Sequence, residues 1–289
     1  ADVLHANDLD TLFANWLVSK IRKKEIIYDS HEYFTGVPEI QQRPLVKKTW
    51  EKIEKLIFPK LKYVFTVNQS IANIYKNKYN VEVKVLRNLP FKNKIEKTQT
   101  KESLNLPLNK NIIILQGAGI NIDRGAEELL EAIAISDNLF LCIVGSGDVI
   151  DILKKRSCSK DLINKVLFTG KLNYPDMMQY TMNATVGVSL DKDTNINYRL
   201  SLPNKIFDYV KAGIPVVCSN LFEVVAVVNQ FQIGLISPSH KPEDILNTIN
   251  KLIDSNDENQ YKPNLQKAME VLNWENEVKV LINTYSELG

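Results

Sequence analysis

The run Ser201-Leu202-Pro203-Asn204-Lys205-Ile206-Phe207-Asp208-Tyr209-Val210-Lys211-Ala212-Gly213-Ile214-Pro215 brings an amide, an ammonium and a carboxylate to helical spacing. Asn204 and Asp208 are four apart and Lys205 and Asp208 three apart, so one helical face can present all three. A helix is expected from Pro203 to Lys211, with proline at its first position and Gly213 as its terminator. Its first turn points unsatisfied N–H groups and the positive end of the dipole outward, which suits a phosphate. Lys205 can then neutralise a diphosphate, and Asp208 can accept hydrogen bonds from ribose hydroxyls. The same spacing also describes a solvated Lys–Asp pair worth only ~0.2–0.5 kcal/mol, and the helix alone does not choose between the two.

Two glycine-containing turns add to this. In Gln116-Gly117-Ala118-Gly119-Ile120-Asn121-Ile122-Asp123-Arg124-Gly125 a strand ends in glycines and a basic residue opens a helix. Glycine lets backbone approach a phosphate, and Arg124 offers a fork to its oxygens. The segment completes neither a dinucleotide fingerprint nor a Walker A loop. Val144-Gly145-Ser146-Gly147-Asp148 is half a dinucleotide motif and reads more readily as a plain turn. Nearer the start, His5, Asp8 and His31-Glu32 follow strand-like runs, where a histidine can hydrogen-bond a sugar or shield charge, or be structural. His5-x-Asn7 and the remote His240 lack metal-ligand spacing, and no serine sits in a nucleophile elbow.

The elements that must position these residues alternate short apolar runs with amphipathic stretches, the pattern of parallel strands joined by helices. Strands are expected at 3–6, 26–29, 63–67 and 83–86, with helices at 9–23 (stripe Leu12, Trp16, Ile21), 44–58 and 68–79, the last capped by Asn68. Residues 90–110 turn polar and charged and read as a linker. A second alternation follows, with strands at 111–116, 139–144, 166–169, 184–189, 215–218 and 233–236. Its helices lie between them, and two more, at 242–253 and about 274–288, end the chain. The reading is therefore α/β, with two Rossmann-like domains facing a cleft: 1–92 as an incomplete first domain, 93–270 as the second, and 271–289 as a helix returning to the first. The chain does not begin with Met and opens almost inside a strand, which is read as an N-terminally incomplete domain.

Composition excludes some classes. A formal net charge of +2 gives no global field for nucleic acid. Cys142, Cys158 and Cys218 have neither disulfide nor metal spacing, which fits a reducing cytoplasmic compartment. No apolar run approaches the ~20 residues of a membrane span. The basic amphipathic stretch 43–62, with Lys47, Lys48, Lys52, Lys55, Lys60 and Lys62 against Trp50, Ile53, Leu56, Ile57 and Phe58, could touch an anionic membrane; a core-facing helix with a solvated back is the competing reading.

Taken together, the 201–215 stretch, Gln116-Gly117 with Asp123-Arg124-Gly125, Val144 to Asp148, His5 with Asp8, and Tyr28-Asp29-Ser30-His31-Glu32 resemble family 4 of the glycosyltransferases, the retaining GT-B group. The likeness is to bacterial polysaccharide-assembly members and covers essentially the whole chain. It implies a retaining transfer from a UDP- or GDP-linked sugar to a glycan or lipid-linked acceptor, with no cofactor and no metal. Arg124 and Lys205 would hold the diphosphate and Asp208 the ribose. Gly170-Lys171-Leu172 would meet the base, while Gly117, Gly145, Ser201 and Asn204 would line the donor crevice. His31 and Asp8 would face the reacting sugar and acceptor as catalytic residues. The chain departs from the family pattern in placing Leu200 at the first carboxylate of Glu-x7-Glu, Ala118 at a basic position, and Asn7 where relatives carry a histidine. Competing expectations are a GT-B nucleotide-sugar 2-epimerase, a non-catalytic sugar-nucleotide-binding protein and, behind these, a dinucleotide oxidoreductase.

Overall fold

Runs such as Ile112-Ile113-Ile114-Leu115 and Phe140-Leu141-Cys142-Ile143 are apolar on both sides, as a strand covered on both faces must be. In the computed structural model, which describes residues 1–255 and 260–288, they lie in one of two parallel sheets. The first sheet has order β1-β2-β3-β4, from β1 (Val3–Asn7), β2 (Glu25–Ser30), β3 (Tyr63–Thr66) and β4 (Lys84–Val85). The second is built from β5 (Asn111–Gly117), β6 (Leu139–Gly145), β7 (Val166–Gly170), β8 (Val186–Ser189), β9 (Val216–Cys218) and β10 (Gly234–Ile236), in order β10-β9-β8-β5-β6-β7.

The chain divides into two units. One comprises 1–89, 193–202 and 274–289; the other comprises 90–192 and 203–273. Residues 193–202, read from sequence as part of the second domain, cluster with the first unit. The contacts explain why. The Asn68 side chain donates to the Leu200 carbonyl at 2.7 Å, Asn197 Nδ2 donates to Glu32 Oε2 at 3.0 Å, and Leu200 packs on the first unit's core.

In the first unit, alternation along the strands sends Ala6, Ile26, Tyr28 and Val64 to one face, under the helices Asp8–Arg22, Pro44–Ile57 and Gln69–Tyr79. Val3, Ile27, Tyr63 and Phe65 face the other way, against Trp274, Val280 and Leu281 of the C-terminal helix Trp274–Ser286. Asn68 caps its helix as expected, accepting from the Ile71 N–H at 3.0 Å. The first helix uses Leu12 and Trp16 of the expected stripe, together with Leu9, but Ile21 is 72% exposed and lies off it. In the basic helix, Trp50, Ile53, Ile57 and Phe58 face the core, and Leu56 points outward. Glu54 is fully buried there, paired with Lys78 at 2.6 Å and accepting from the Tyr79 hydroxyl.

The second unit is doubly wound. The expected helix 203–211 spans Lys205–Ala212, so Pro203 lies before it and Asn204 flanks it; Gly213 ends it at φ +76°, a left-handed cap that glycine adopts without penalty. Residues read as featureless contain the helices Pro38–Gln41, Ile196–Arg199 and Lys262–Val271.

Candidate active site

The second sheet runs outward from β5 through β6 to β7, then returns to β8 on the other side of β5. This is the topology whose ligands bind where the strand order reverses, outside the carboxyl ends of the two central strands. Here those ends are Gly117 of β5 and Ser189 of β8.

The loops leaving these strands are fastened together. Lys192 N–H donates to the Asp123 carbonyl at 2.9 Å. A Cβ on Gly125 would stand 2.3 Å from the Leu190 carbonyl oxygen, so only glycine permits this approach. The result sets Arg124 Nη1 2.7 Å from Oδ2 of Asp191, whose side chain is 1% exposed. Lys205, at the start of its helix, shares this environment: burial lowers its pKa, Asp191 opposes that, and Arg124 adds to it. Two cations and a helix N-terminus converge beside one carboxylate, which makes the switch point electropositive. That is the electrostatic requirement for a phosphate. Asp191 was not anticipated; a carboxylate directly beyond a central strand was the signal.

Gly117 lies beside this group, since a Cβ there would come within 3.9 Å of Lys205 Cε. Gly145 and Gly147 serve packing. A Cβ on Gly145 would stand 1.8 Å from the Gly117 oxygen, and one on Gly147 would stand 2.0 Å from the Ile120 oxygen. Hydrogen bonds from Ile120 N–H to the Ser146 carbonyl (3.0 Å) and from Ile122 N–H to Asp148 Oδ1 (2.9 Å) lock the two loops.

Asp208 is one turn further along. Gln116 Nε2 donates to its Oδ2 at 3.1 Å and the Tyr174 hydroxyl to its Oδ1 at 2.9 Å. Gln116 is itself held by the Thr181 hydroxyl at 2.7 Å. Burial pushes the Asp208 carboxyl up to about 6, against the pull of Tyr174, Gln116 and Lys211. A carboxylate has about four acceptor sites, so each oxygen can still take a further hydroxyl. The role of Tyr174 was not read from sequence.

Of the remaining expected residues, Lys171 is exposed and Leu172 half-buried in the loop after β7, two to three residues before Tyr174; Asn204 is exposed. Ser201 belongs to the segment that clusters with the first unit, and its Oγ is buried without a partner. The second unit's cavity of about 760 Å³ is elsewhere. Lined by Met178, Met182, Lys211, Pro215 and Leu265, it lies at the amino ends of the strands, away from the switch point.

In the first unit, His31 and Asp8 do meet. His31 Nδ1 is 3.6 Å from Asp8 Oδ2, and the His31 N–H donates to Asp8 Oδ1 at 2.9 Å. Asp8 is left-handed at φ +58°, an uncommon conformation outside glycine that turns its carboxylate toward His31. Asp29 lies between His31 and His5, and Tyr285 of the C-terminal helix reaches His5 Nδ1 at 2.9 Å.

The family model for glycosyl transferases group 1 matches residues 96–269. No curated protein matches the chain. Among solved structures, Anabaena HepE in complex with UDP is similar with a TM-score of 0.80 and 16% identity, covering 99% of this chain and 79% of that one. Sucrose-phosphate synthase from Thermosynechococcus elongatus is similar with a TM-score of 0.77 and 18% identity, covering 99% and 73%. A Rickettsia africae glycosyltransferase gives 0.79 and 14% over 100% and 77%. These likenesses carry the fold, which is the α/β GT-B type. With the family model matching more than half of its length, the chain belongs to the glycosyl transferases group 1 and is a glycosyltransferase.

Proposed function

We propose that the protein is a family 4 enzyme that transfers a sugar, with retention, from a UDP- or GDP-linked donor to a glycan or lipid-linked acceptor. The observation that carries this reading is the Arg124–Asp191–Lys205 group at the switch point of the second sheet. Arg124 and Lys205 would hold the donor diphosphate and stabilise it as it departs, without a metal. Asp208, steadied by Gln116 and Tyr174, would accept from the ribose hydroxyls. Gly117 and Gly145 would line the donor crevice and the Lys171-Leu172 loop would meet the base. The departing diphosphate oxygen would take the acceptor proton, so rate would come from positioning and charge stabilisation. Leu200 packs into the first unit's core, so no carboxylate at that position reads the donor sugar. HepE was also solved with UDP-glucose, which supports UDP as the first nucleotide to try.

Calorimetry with UDP and GDP tests the donor site. One nucleotide should bind, and Lys205→Ala should weaken it at least ten-fold, roughly 1.4 kcal/mol. Failure of both nucleotides to bind the unaltered protein would sink the assignment. A peripheral contact with an anionic membrane at the cytoplasmic face is proposed through 43–62. Lys48, Lys52 and Lys55 are exposed there beside the outward-facing Leu45 and Leu56. Co-sedimentation with anionic vesicles is the measurement, and equal recovery with neutral vesicles removes the idea. Among the described residues, no helix is long and apolar enough to cross a membrane.

A further inference from the structure

Asp29, next to last in β2, has its side chain on the face covered by the C-terminal helix, and two imidazoles converge on one of its oxygens. His5 Nε2 is 3.7 Å and His31 Nε2 3.6 Å from Oδ2. The far nitrogen of each ring is also occupied, but by different chemistry. His5 Nδ1 meets the Tyr285 hydroxyl at 2.9 Å, whereas His31 Nδ1 meets the Asp8 carboxylate at 3.6 Å.

A neutral imidazole carries one N–H and one lone pair. Tyr285 can donate or accept, so a neutral His5 satisfies both of its neighbours. His31 has a carboxylate at each end, and a lone pair aimed at either would be repelled. Only the doubly protonated ring suits both. Glu32, which follows His31 in the loop, acts on it in the same sense, and Asp10 on the first helix acts on Asp8. Asp29 beside it raises the His31 pKa, against burial. Burial would raise the Asp29 carboxyl, but the two histidines outweigh it and hold it below the usual range. Burial raises Asp8, with His31 opposing. The strained backbone of Asp8 is further evidence that this clamp is imposed by the surrounding structure. The His31 side chain stays 44% exposed, so the clamped ring can still touch a ligand.

We infer that His31 is held as an imidazolium between Asp29 and Asp8, and serves the transfer reaction as a fixed positive charge, not as a general base. Asp29 is then a positioning residue shared by both histidines, and its carboxylate favours the His5 tautomer that carries the proton on Nε2. The part concerning transfer rests on the transferase reading above; the protonation state does not.

The chain has three histidines, so ring ¹⁵N NMR can be assigned from single His→Gln variants. At pH 7 both His31 nitrogens should be protonated, with a midpoint above the ordinary ~6.5. Asp29→Asn and Asp8→Asn should each lower that midpoint by about one unit or more. Tyr285→Phe should leave His31 protonated. A neutral His31 at pH 7 in the unaltered protein, or midpoints unmoved in both asparagine variants, overturns the inference. If Asp29→Asn does not fold, the more exposed Asp8 decides. Acceptor-dependent nucleotide release, followed against pH, should gain an alkaline decline at lower pH in both variants. Unchanged profiles alongside the expected NMR would overturn the catalytic part alone, and nucleotide calorimetry tests the transferase reading separately.

Discussion

Asp208 is a carboxylate whose surroundings set the pH at which it can act. Burial moves its folded-state value from 3.8 up to about 6, so folding favours the protonated form. Its contribution to stability therefore falls as pH rises from about 4 through 6. Binding has the opposite preference, because accepting two ribose hydroxyls favours the ionised form. Nucleotide affinity should then weaken roughly ten-fold between pH 7.5 and 5. Asp208→Asn should abolish that part of the dependence. The ligand's own phosphate titrates in the same window, so the difference between the two proteins is the quantity to measure. Equal pH dependence in both would remove Asp208 from the ribose. Tyr174→Phe takes away one donor to the same carboxylate and should shift the midpoint upward in the same experiment.

At the scale of elements, the loops after β5 and β6 form one body because two glycines let their backbones touch. Gly145→Ala puts a methyl group 1.8 Å from the Gly117 oxygen at φ +141°, and Gly147→Ala puts one 2.0 Å from the Ile120 oxygen. Each should cost roughly 1–3 kcal/mol in urea unfolding through overpacking. Each should also weaken nucleotide binding, since Gly117 borders Lys205. Loss of stability with unchanged binding would confine these glycines to packing. The strands, the Asn68 cap and the Gly213 terminator were legible from sequence because each is a local decision, made by periodicity or a single side chain. The segment 193–202 was not, because its place depends on Asn68 and Glu32, more than a hundred residues away. Glu54 escaped for the same reason: its partners Lys78 and Tyr79 lie on another helix. For the site, Lys205, Asp208 and Arg124 stood out by type and spacing. Asp191, Tyr174 and Tyr285 acquire meaning only through what they touch.

Across the whole molecule, the C-terminal helix is tied to the first unit by a two-pronged ion pair. Arg87 Nε and Nη2 reach Glu277 Oε1 and Oε2 at 2.9 and 2.8 Å, and the Arg87 N–H adds a third bond at 2.7 Å. Glu277 is nearly buried while Arg87 keeps partial exposure. Arg87→Ala should therefore cost roughly 2–3 kcal/mol, below the 3–5 of a fully buried pair. Thermal unfolding measures it, and a change under 0.5 kcal/mol would show that apolar contacts alone hold the helix. The division of the chain has a further consequence, for the order of folding. It leaves the first unit at residue 89, returns for 193–202, departs again, and comes back at 274. Contacts such as His5 with Tyr285 close a loop of 280 residues, among the slowest kinds of contact to form. The first unit is thus begun first and completed last during synthesis. Until residues 274–288 have returned, the Ile27, Tyr63 and Phe65 face lacks its cover and His5 lacks Tyr285.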